Sequence, residues 1–215
     1  MLEKIEGIVL DTLKFKESSV VAKVFSKNHG LLSILINGVS DKKSKHFLVY
    51  LQPLSHIEFQ LYYKNIGSIN KATDIIVLNS PLGPVSNIVK NSIVIFIAEV
   101  VLKTSKHQIK DNKVYDLLLE TLNLILNKKD TLSSLHLYFL INYVSILGYT
   151  VYESNYNIKL AILTECNSFS YDQFLAFPIS KEVRKESLNF LLSHLINQFE
   201  MIEIKSHAIL GEIML

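Results

Sequence analysis

Between residues 6 and 78, apolar and polar side chains alternate in short runs; everything after them has helical spacing. Successive side chains of a strand point to opposite faces, so period two describes a strand with two different surroundings. Val20, Ala22 and Val24 fall on one face and Val21, Lys23 and Phe25 on the other, while Ile57, Phe59 and Leu61 oppose His56, Glu58, Gln60 and Tyr62. One face of each strand is expected in a core and the other in water. Turn-forming residues at 16–18, 28–30, 38–45 and 64–67 divide the stretch into strands over 6–14, 19–26, 30–37, 54–63 and 68–78.

Five strands in so short a stretch suit a small closed barrel. An oligonucleotide/oligosaccharide-binding (OB) barrel has this count and uses a strand face and its loops as a binding surface. An SH3-like barrel fits the count almost as well.

The pattern changes at Asn79-Ser80-Pro81-Leu82-Gly83-Pro84, a turn-rich boundary. Ile88, Val89, Ser92, Ile93, Phe96, Ile97 and Val100 then recur at helical steps, and Val94, Ile95, Ala98 and Leu102 make that helix apolar on nearly every side, so it is expected to be central. A second helix, 112–127, carries an apolar stripe of Val114, Leu117, Leu118, Leu122 and Ile125. A third is expected to start after the capping residues Asp130-Thr131 and to stop at Gly148, completing an antiparallel three-helix bundle. Residues 149–178 are aromatic and polar without a period and read as an irregular packed segment. Ser180 caps a further helix reaching Phe199, and a last one runs from Lys205 or Ser206.

Residues 131–152 contain no Asp, Glu, Lys or Arg, a length that meets the test for a membrane span. They include Ser133, Ser134, His136, Asn142 and Ser145, which are costly in lipid, so a buried helix of a water-soluble fold is expected, with no membrane partner. The start Met1-Leu2-Glu3-Lys4 lacks the apolar core of a signal peptide, which favours the cytoplasm.

Catalytic and metal-binding patterns do not emerge. Cys166 is the single cysteine, the seven histidines lack the His-x-x-x-His pair of a helical metal site, and the glycines are scattered singly. The chain is therefore read as a non-enzyme without metal or cofactor. The net charge of +2 is unevenly spread, being +3 over residues 1–80, +2 over 81–150 and −3 over 151–215. Of the 22 basic residues only Arg184 is an arginine. Lysine suits phosphate as a mobile point charge, whereas bidentate reading of guanine favours arginine, so any nucleic-acid binding is expected to show little sequence preference.

A binding constellation remains. Lys42, Lys43, Lys45 and His46 occupy a basic loop between strands, and Lys14, Lys16, Lys23, Phe25, Tyr62 and Lys64 are placed to flank it. Lysines that follow phosphates beside aromatic rings that stack on bases are the two components of single-strand binding. A solvated loop without a partner is the competing reading.

Several strings, in this order, carry a resemblance: Met1-Leu2-Glu3-Lys4-Ile5-Glu6-Gly7-Ile8-Val9-Leu10, Glu17-Ser18-Ser19, His29-Gly30-Leu31, Asn37-Gly38-Val39-Ser40-Asp41-Lys42-Lys43-Ser44-Lys45 and Leu51-Gln52-Pro53-Leu54. Lys90-Asn91-Ser92-Ile93, Phe96-Ile97-Ala98-Glu99-Val100, Leu147-Gly148-Tyr149 and Ser206-His207-Ala208-Ile209-Leu210 continue it over nearly the whole chain. Together they resemble the bacterial recombination mediators of the RecO family. The resemblance implies an α+β fold, with a five-stranded OB-fold barrel over 1–80 and an all-helical domain over 81–215. It also implies a cytoplasmic, nucleoid-associated role in DNA repair and recombination. Such a protein binds single- and double-stranded DNA and anneals complementary strands. With RecR as partner it loads RecA onto strands coated by single-stranded-DNA-binding protein (SSB), whose acidic, phenylalanine-ended C-terminal tail it is thought to grasp. An apolar pocket near Phe96, Leu117, Leu118 and Leu122, rimmed by Lys103, Lys106, Lys128 and Lys129, would suit that tail; packing of these apolar residues against the C-terminal helices is the equal alternative. Many members carry a four-cysteine zinc module that a chain with Cys166 alone cannot build, so a zinc-free branch is implied. A general single-stranded RNA- or DNA-binding OB protein and a helical adaptor without nucleic-acid affinity are the alternatives.

Overall fold

The computed structural model describes residues 2–39, 48–63, 67–81, 87–105, 111–128, 132–148, 168–200 and 203–214. Five strands, β1 (Leu2–Lys16), β2 (Ser19–Ser26), β3 (Gly30–Asn37), β4 (His56–Tyr62) and β5 (Ile69–Asn79), close into a barrel in the order β1-β2-β3-β5-β4. All neighbours are antiparallel except β3 and β5. This is the Greek-key order of an OB barrel, which decides between the two barrels weighed above. β1 closes the ring by pairing twice, its first half with β4 and its second with β2, and Gly7 sits at the changeover opposite both Ile57 and Ser26. A Cβ on Gly7 would lie 2.3 Å from Cγ1 of Val24, so only glycine fits there without displacement.

The alternation reads out as expected on the inner face, where Val20, Ala22, Val24, Ile57, Phe59 and Leu61 join one barrel core. The outer face of β1 and β2 is not uniformly wet. Ile8, Leu10, Phe25 and Leu54 belong instead to a second core shared with the helices. Leu10 is the extra residue of a bulge between the pairs Val9–Val24 and Asp11–Lys23, which returns Thr12 to the inner register opposite Ala22. Leu54 is not strand, as the alternation suggested. It takes a left-handed φ of 62° in the loop before β4, where its N–H donates to the carbonyl of Val9 at 2.7 Å and its side chain is buried among the helices.

Among the described residues six helices follow: α1 (Ile88–Thr104), α2 (Asn112–Asn127), α3 (Leu135–Ile146), α4 (Tyr171–Ala176), α5 (Lys181–Gln198) and α6 (Ser206–Met214). Asn87, Asp111 and Ser180 cap α1, α2 and α5 by accepting from the N–H groups of Val89, Lys113 and Val183. The expected three-helix bundle is organised differently. Helix α3 is the hub, packed against α1, α2, α4 and α5, while α1 and α2 also lean on β1 and α1 carries α6. Helix α3 begins at Leu135 rather than directly after Thr131, with Ser134 at its N-cap and the hydroxyl of Ser134 taken by Arg184 at 3.0 Å. Of the segment expected to be irregular, residues 171–176 form α4, fixed by a capping box between Ser170 and Gln173; residues 149–167 lie outside the described ones. Among the described residues no helix is long and apolar enough to cross a membrane.

Candidate nucleic-acid interface

The far end of β1 is Leu13-Lys14-Phe15-Lys16, all four side chains exposed. Leu13, Lys14 and Lys16 stay paired with Val21, Val20 and Ser19 of β2, and the register shift between Lys14 and Lys16 leaves Phe15 as the extra, unpaired residue of the run. Phe15 is 50% exposed, and the ammonium of Lys16 stands 5.6 Å from the centre of its ring. Beside them a groove of about 370 Å³ is lined by Asp11, Thr12, Lys14 and Val20 on one wall and Leu48, Leu51, Gln52 and Pro53 on the other, with Thr12 donating to the carbonyl of Leu51 at 3.1 Å. Val39, whose N–H donates to the carbonyl of Ser18, and Leu48 bound the basic loop at this end of the barrel. Lys42, Lys43, Lys45 and His46 themselves, and Lys64, lie outside the described residues.

The remaining expected residues do not share one face. Lys23 is on the outer wall between Asp11 and Ser33, donating to the hydroxyl of Ser33 at 2.7 Å. Tyr62 is outside too and 46% exposed, with the ammonium of Lys71 5.9 Å from its ring centre. It is on β4, however, two strands round the closed wall from Lys23, with β1 between them. Phe25 is a correction: it is fully buried and offers no ring to a base, because the helices cover the row that pairs it with Ile8 and Leu31. Phe96, Leu117, Leu118 and Leu122, around which an apolar pocket was one of the two expectations, are all buried in the core that the helices share with the barrel. Of the lysines expected to rim it, Lys103 pairs with Glu99 at 2.8 Å and Lys128 with Asp172, while Lys106 and Lys129 lie outside the described residues.

Two features escaped sequence reasoning. Phe15 was hidden between two lysines, and Tyr50, 38% exposed, sits on the segment that supplies the groove's second wall. The other is a cleft of about 870 Å³ between the barrel and α2. At its base, Nε2 of His56 lies 3.2 Å from both the carboxylate of Glu6 and the hydroxyl of Tyr115. Burial holds the pKa of His56 below its ordinary value against the opposing pull of Glu6, and burial together with the charges of Glu6 and Asp116 pushes Tyr115 up to about 12. The cleft's lysines are matched by acids: Lys4 pairs with Glu58 at 2.9 Å, Lys27 with Asp116 at 3.5 Å and Lys128 with Asp172. That charge balance makes it a polar seam between barrel and helices, and leaves the end of β1 as the more suitable surface for a polyanion. Among the described residues no group of three His, Cys, Asp or Glu could hold a metal ion.

Comparison with known proteins agrees with the barrel and the helices after it. Residues 1–80 match the family described as "Recombination protein O N terminal", and residues 85–156 match "Recombination protein O C terminal". A protein named DNA repair protein RecO from Flavobacterium psychrophilum is 30% identical over 147 residues, which is 68% of this chain and 61% of that relative. Proteins of the same name from Phocaeicola vulgatus and Pelodictyon phaeoclathratiforme are 28% and 25% identical over 152 and 149 residues, each covering 69% of this chain and 61% and 57% of their own lengths. The chain belongs to the RecO family.

The RecO matches take in the whole barrel, α1, α2 and α3, whereas α4, α5 and α6 lie after the last matched residue, 156. The chain spans about three fifths of the length of the curated RecO relatives it matches. Gly7, Leu10 and Leu54, the residues that shape β1 and its contact with the helices, all fall inside the RecO N-terminal match.

Proposed function

We propose that this RecO-family chain is a DNA-binding recombination mediator, and that the end of β1 is where DNA first makes contact. The observation that carries the reading is an OB-type closed barrel, in a chain of this family, whose strand end exposes Lys14, Phe15 and Lys16 beside a groove. Lys14 and Lys16 contact phosphates, joined in this reading by Lys42, Lys43, Lys45, His46 and Lys64, and Lys23 and Tyr62 extend the surface round the wall. Lysine heads on flexible stems follow a backbone without selecting a base, so single and double strands of any sequence bind. The barrel end then holds two complementary strands long enough to anneal. With RecR as partner and the acidic tail of SSB as a docking point, it delivers RecA to coated strands. None of these steps makes or breaks a covalent bond, so the role is not enzymatic, and it places the protein at the nucleoid. In this reading residues 1–80 bind DNA and 81–215 support them.

Annealing of SSB-coated complementary oligonucleotides, with and without added RecR, tests the proposal. Faster annealing with the chain present is the expected result. A chain that binds RNA alone, or no nucleic acid at all, belongs to one of the other two classes. Changing Lys42, Lys43 and Lys45 together to Ala is expected to weaken binding equally for all sequences and to flatten its salt dependence.

A further inference from the structure

Phe15 is half exposed, although the strand that carries it contributes residues to two hydrophobic cores. A phenylalanine gains much by burial, so its exposure next to two lysines is a feature to be explained. Its surroundings combine three things. Lys16 stands over the ring at 5.6 Å. The neighbouring groove holds Lys14. Leu13 at 56% and, on the segment forming the other wall, Val49 at 50% and Tyr50 at 38% exposure add apolar surface at the same end of the barrel. A cation already seated at an aromatic ring is the arrangement that an incoming nucleotide can use in two ways at once, its base taking the ring and its phosphate the ammonium.

We infer that Phe15 is a base-stacking residue that gives this end of the barrel a preference for single strands over duplex, with Lys14 and Lys16 holding the phosphates on either side. The inference rests on the DNA-binding reading above and adds to it the residue that sets strand preference. The charge at the site selects the occupant, since exposed apolar side chains interleaved with lysines suit a polyanion with flat apolar faces. In a duplex those faces are already stacked on one another, and wedging a ring between them costs energy that an unpaired strand does not have to spend. The lysines contact both forms, but the ring is useful only to one.

The test compares the full-length chain with its Phe15→Leu and Lys16→Gln variants in anisotropy titrations against a labelled thymidine oligonucleotide and a duplex of equal length. Phe15→Leu keeps an apolar side chain at an exposed position, so its melting temperature is expected to match the parent. Its affinity for the single strand is expected to fall by roughly five-fold or more, the loss typical of one stacking contact, with duplex affinity unchanged. Lys16→Gln is expected to weaken both. A Phe15→Trp variant supplies a second reading: the chain has no other tryptophan, and its emission should be quenched by the single strand and not by the duplex. Equal affinity of Phe15→Leu and parent for the single strand, or an equal loss on both forms, would overturn the stacking role. So would a parent chain that dimerises through this surface while Phe15→Leu stays monomeric and binds DNA as well as the parent. If the parent binds neither form, it is the DNA-binding reading itself that fails.

Discussion

The carboxylate of Glu99 on α1 accepts hydrogen bonds from the N–H and the hydroxyl of Ser206, at 2.9 and 2.5 Å, and so caps a helix more than a hundred residues downstream. It also accepts from the N–H of Lys205 at 3.0 Å and pairs with Lys103 at 2.8 Å. The first turn of a helix has N–H groups that nothing inside the helix satisfies, and a carboxylate placed there complements both those donors and the helix dipole. Helix α6 has no acidic residue in its own first turn, and Glu99 supplies the charge from outside.

Glu99→Gln is expected to lower stability by about 1–2 kcal/mol, since it keeps the shape but removes the charge from several hydrogen bonds. Burial alone would raise the pKa of Glu99, but the bonds from Lys103, Ser206 and Lys205 outweigh it and bring it down to about 2 from 4.5. A folded pKa below the unfolded one means stability that is complete above about pH 4.5 and is lost as pH falls toward 2. Urea denaturation at pH 7, 4 and 2.5 checks this: the difference between parent and variant should shrink over that acid window. A difference independent of pH would mean that the carboxylate's charge is not what holds α6.

His136 predicts a separate window. Burial, aided by the charges of His207 and Arg184, lowers its pKa from 6.5 to about 4, so it is neutral in the folded chain at pH 7. The unfolded state takes up the proton first, and stability therefore decreases as pH falls from about 6.5 toward 4. His136→Leu should remove most of that decline, leaving the smaller part due to His56 and His207, which are also shifted down. A variant with the same decline as the parent would place the responsible group elsewhere.

Phe25 separates folding from binding. It is fully buried between barrel and helices, so Phe25→Ala is expected to cost about 3–5 kcal/mol. Where the variant remains folded, its affinity for DNA should be that of the parent. Because the core containing Phe25 is continuous with the helices, the full-length chain is expected to unfold in one transition by both far-ultraviolet dichroism and tyrosine fluorescence. Two resolved transitions would show that barrel and helices are independently stable.

The regular part of this fold was open to reading because its periods are long and undisturbed. The limits of β2 and β3, and of α2, emerge from the alternation and the apolar stripe alone. Alternation says which side chains share a face but not what lies against that face, and for this reason it puts Phe25 and His56 on the wet side although both are buried. Helix α4, with six residues, is too short to show a period, although its Ser170 and Gln173 were a visible capping signal. Leu54 is apolar and adjoins a strand, so its sequence reads as strand; nothing in its neighbours announces a left-handed backbone. Lys14 and Lys16 were legible as charges at a strand end, but the exposure of Phe15 depends on the register shifts around it, which only the paired strands reveal.

Gly7→Ala tests the changeover in β1. The added methyl would meet Val24 at 2.3 Å and the carbonyl oxygen of Phe25 at 3.1 Å, inside a packed barrel. A loss of about 1–3 kcal/mol in chemical denaturation is expected from overpacking at such a site. A variant as stable as the parent would mean that β1 can shift between its two partners without cost.

The central claim is that DNA binds at the end of β1 through its lysines, and a salt series tests it most directly. Anisotropy of a labelled single strand would be titrated with the parent chain and with the Lys14→Ala/Lys16→Ala double variant between about 50 and 200 mM salt. Each lost phosphate contact removes roughly 0.7 from the slope of log affinity against log salt for a single strand. The account predicts measurable binding by the parent and a slope shallower by roughly 1.4 in the double variant, two contacts' worth. A parent that does not bind at the lowest salt, or a double variant with the parent's affinity and slope, would contradict it.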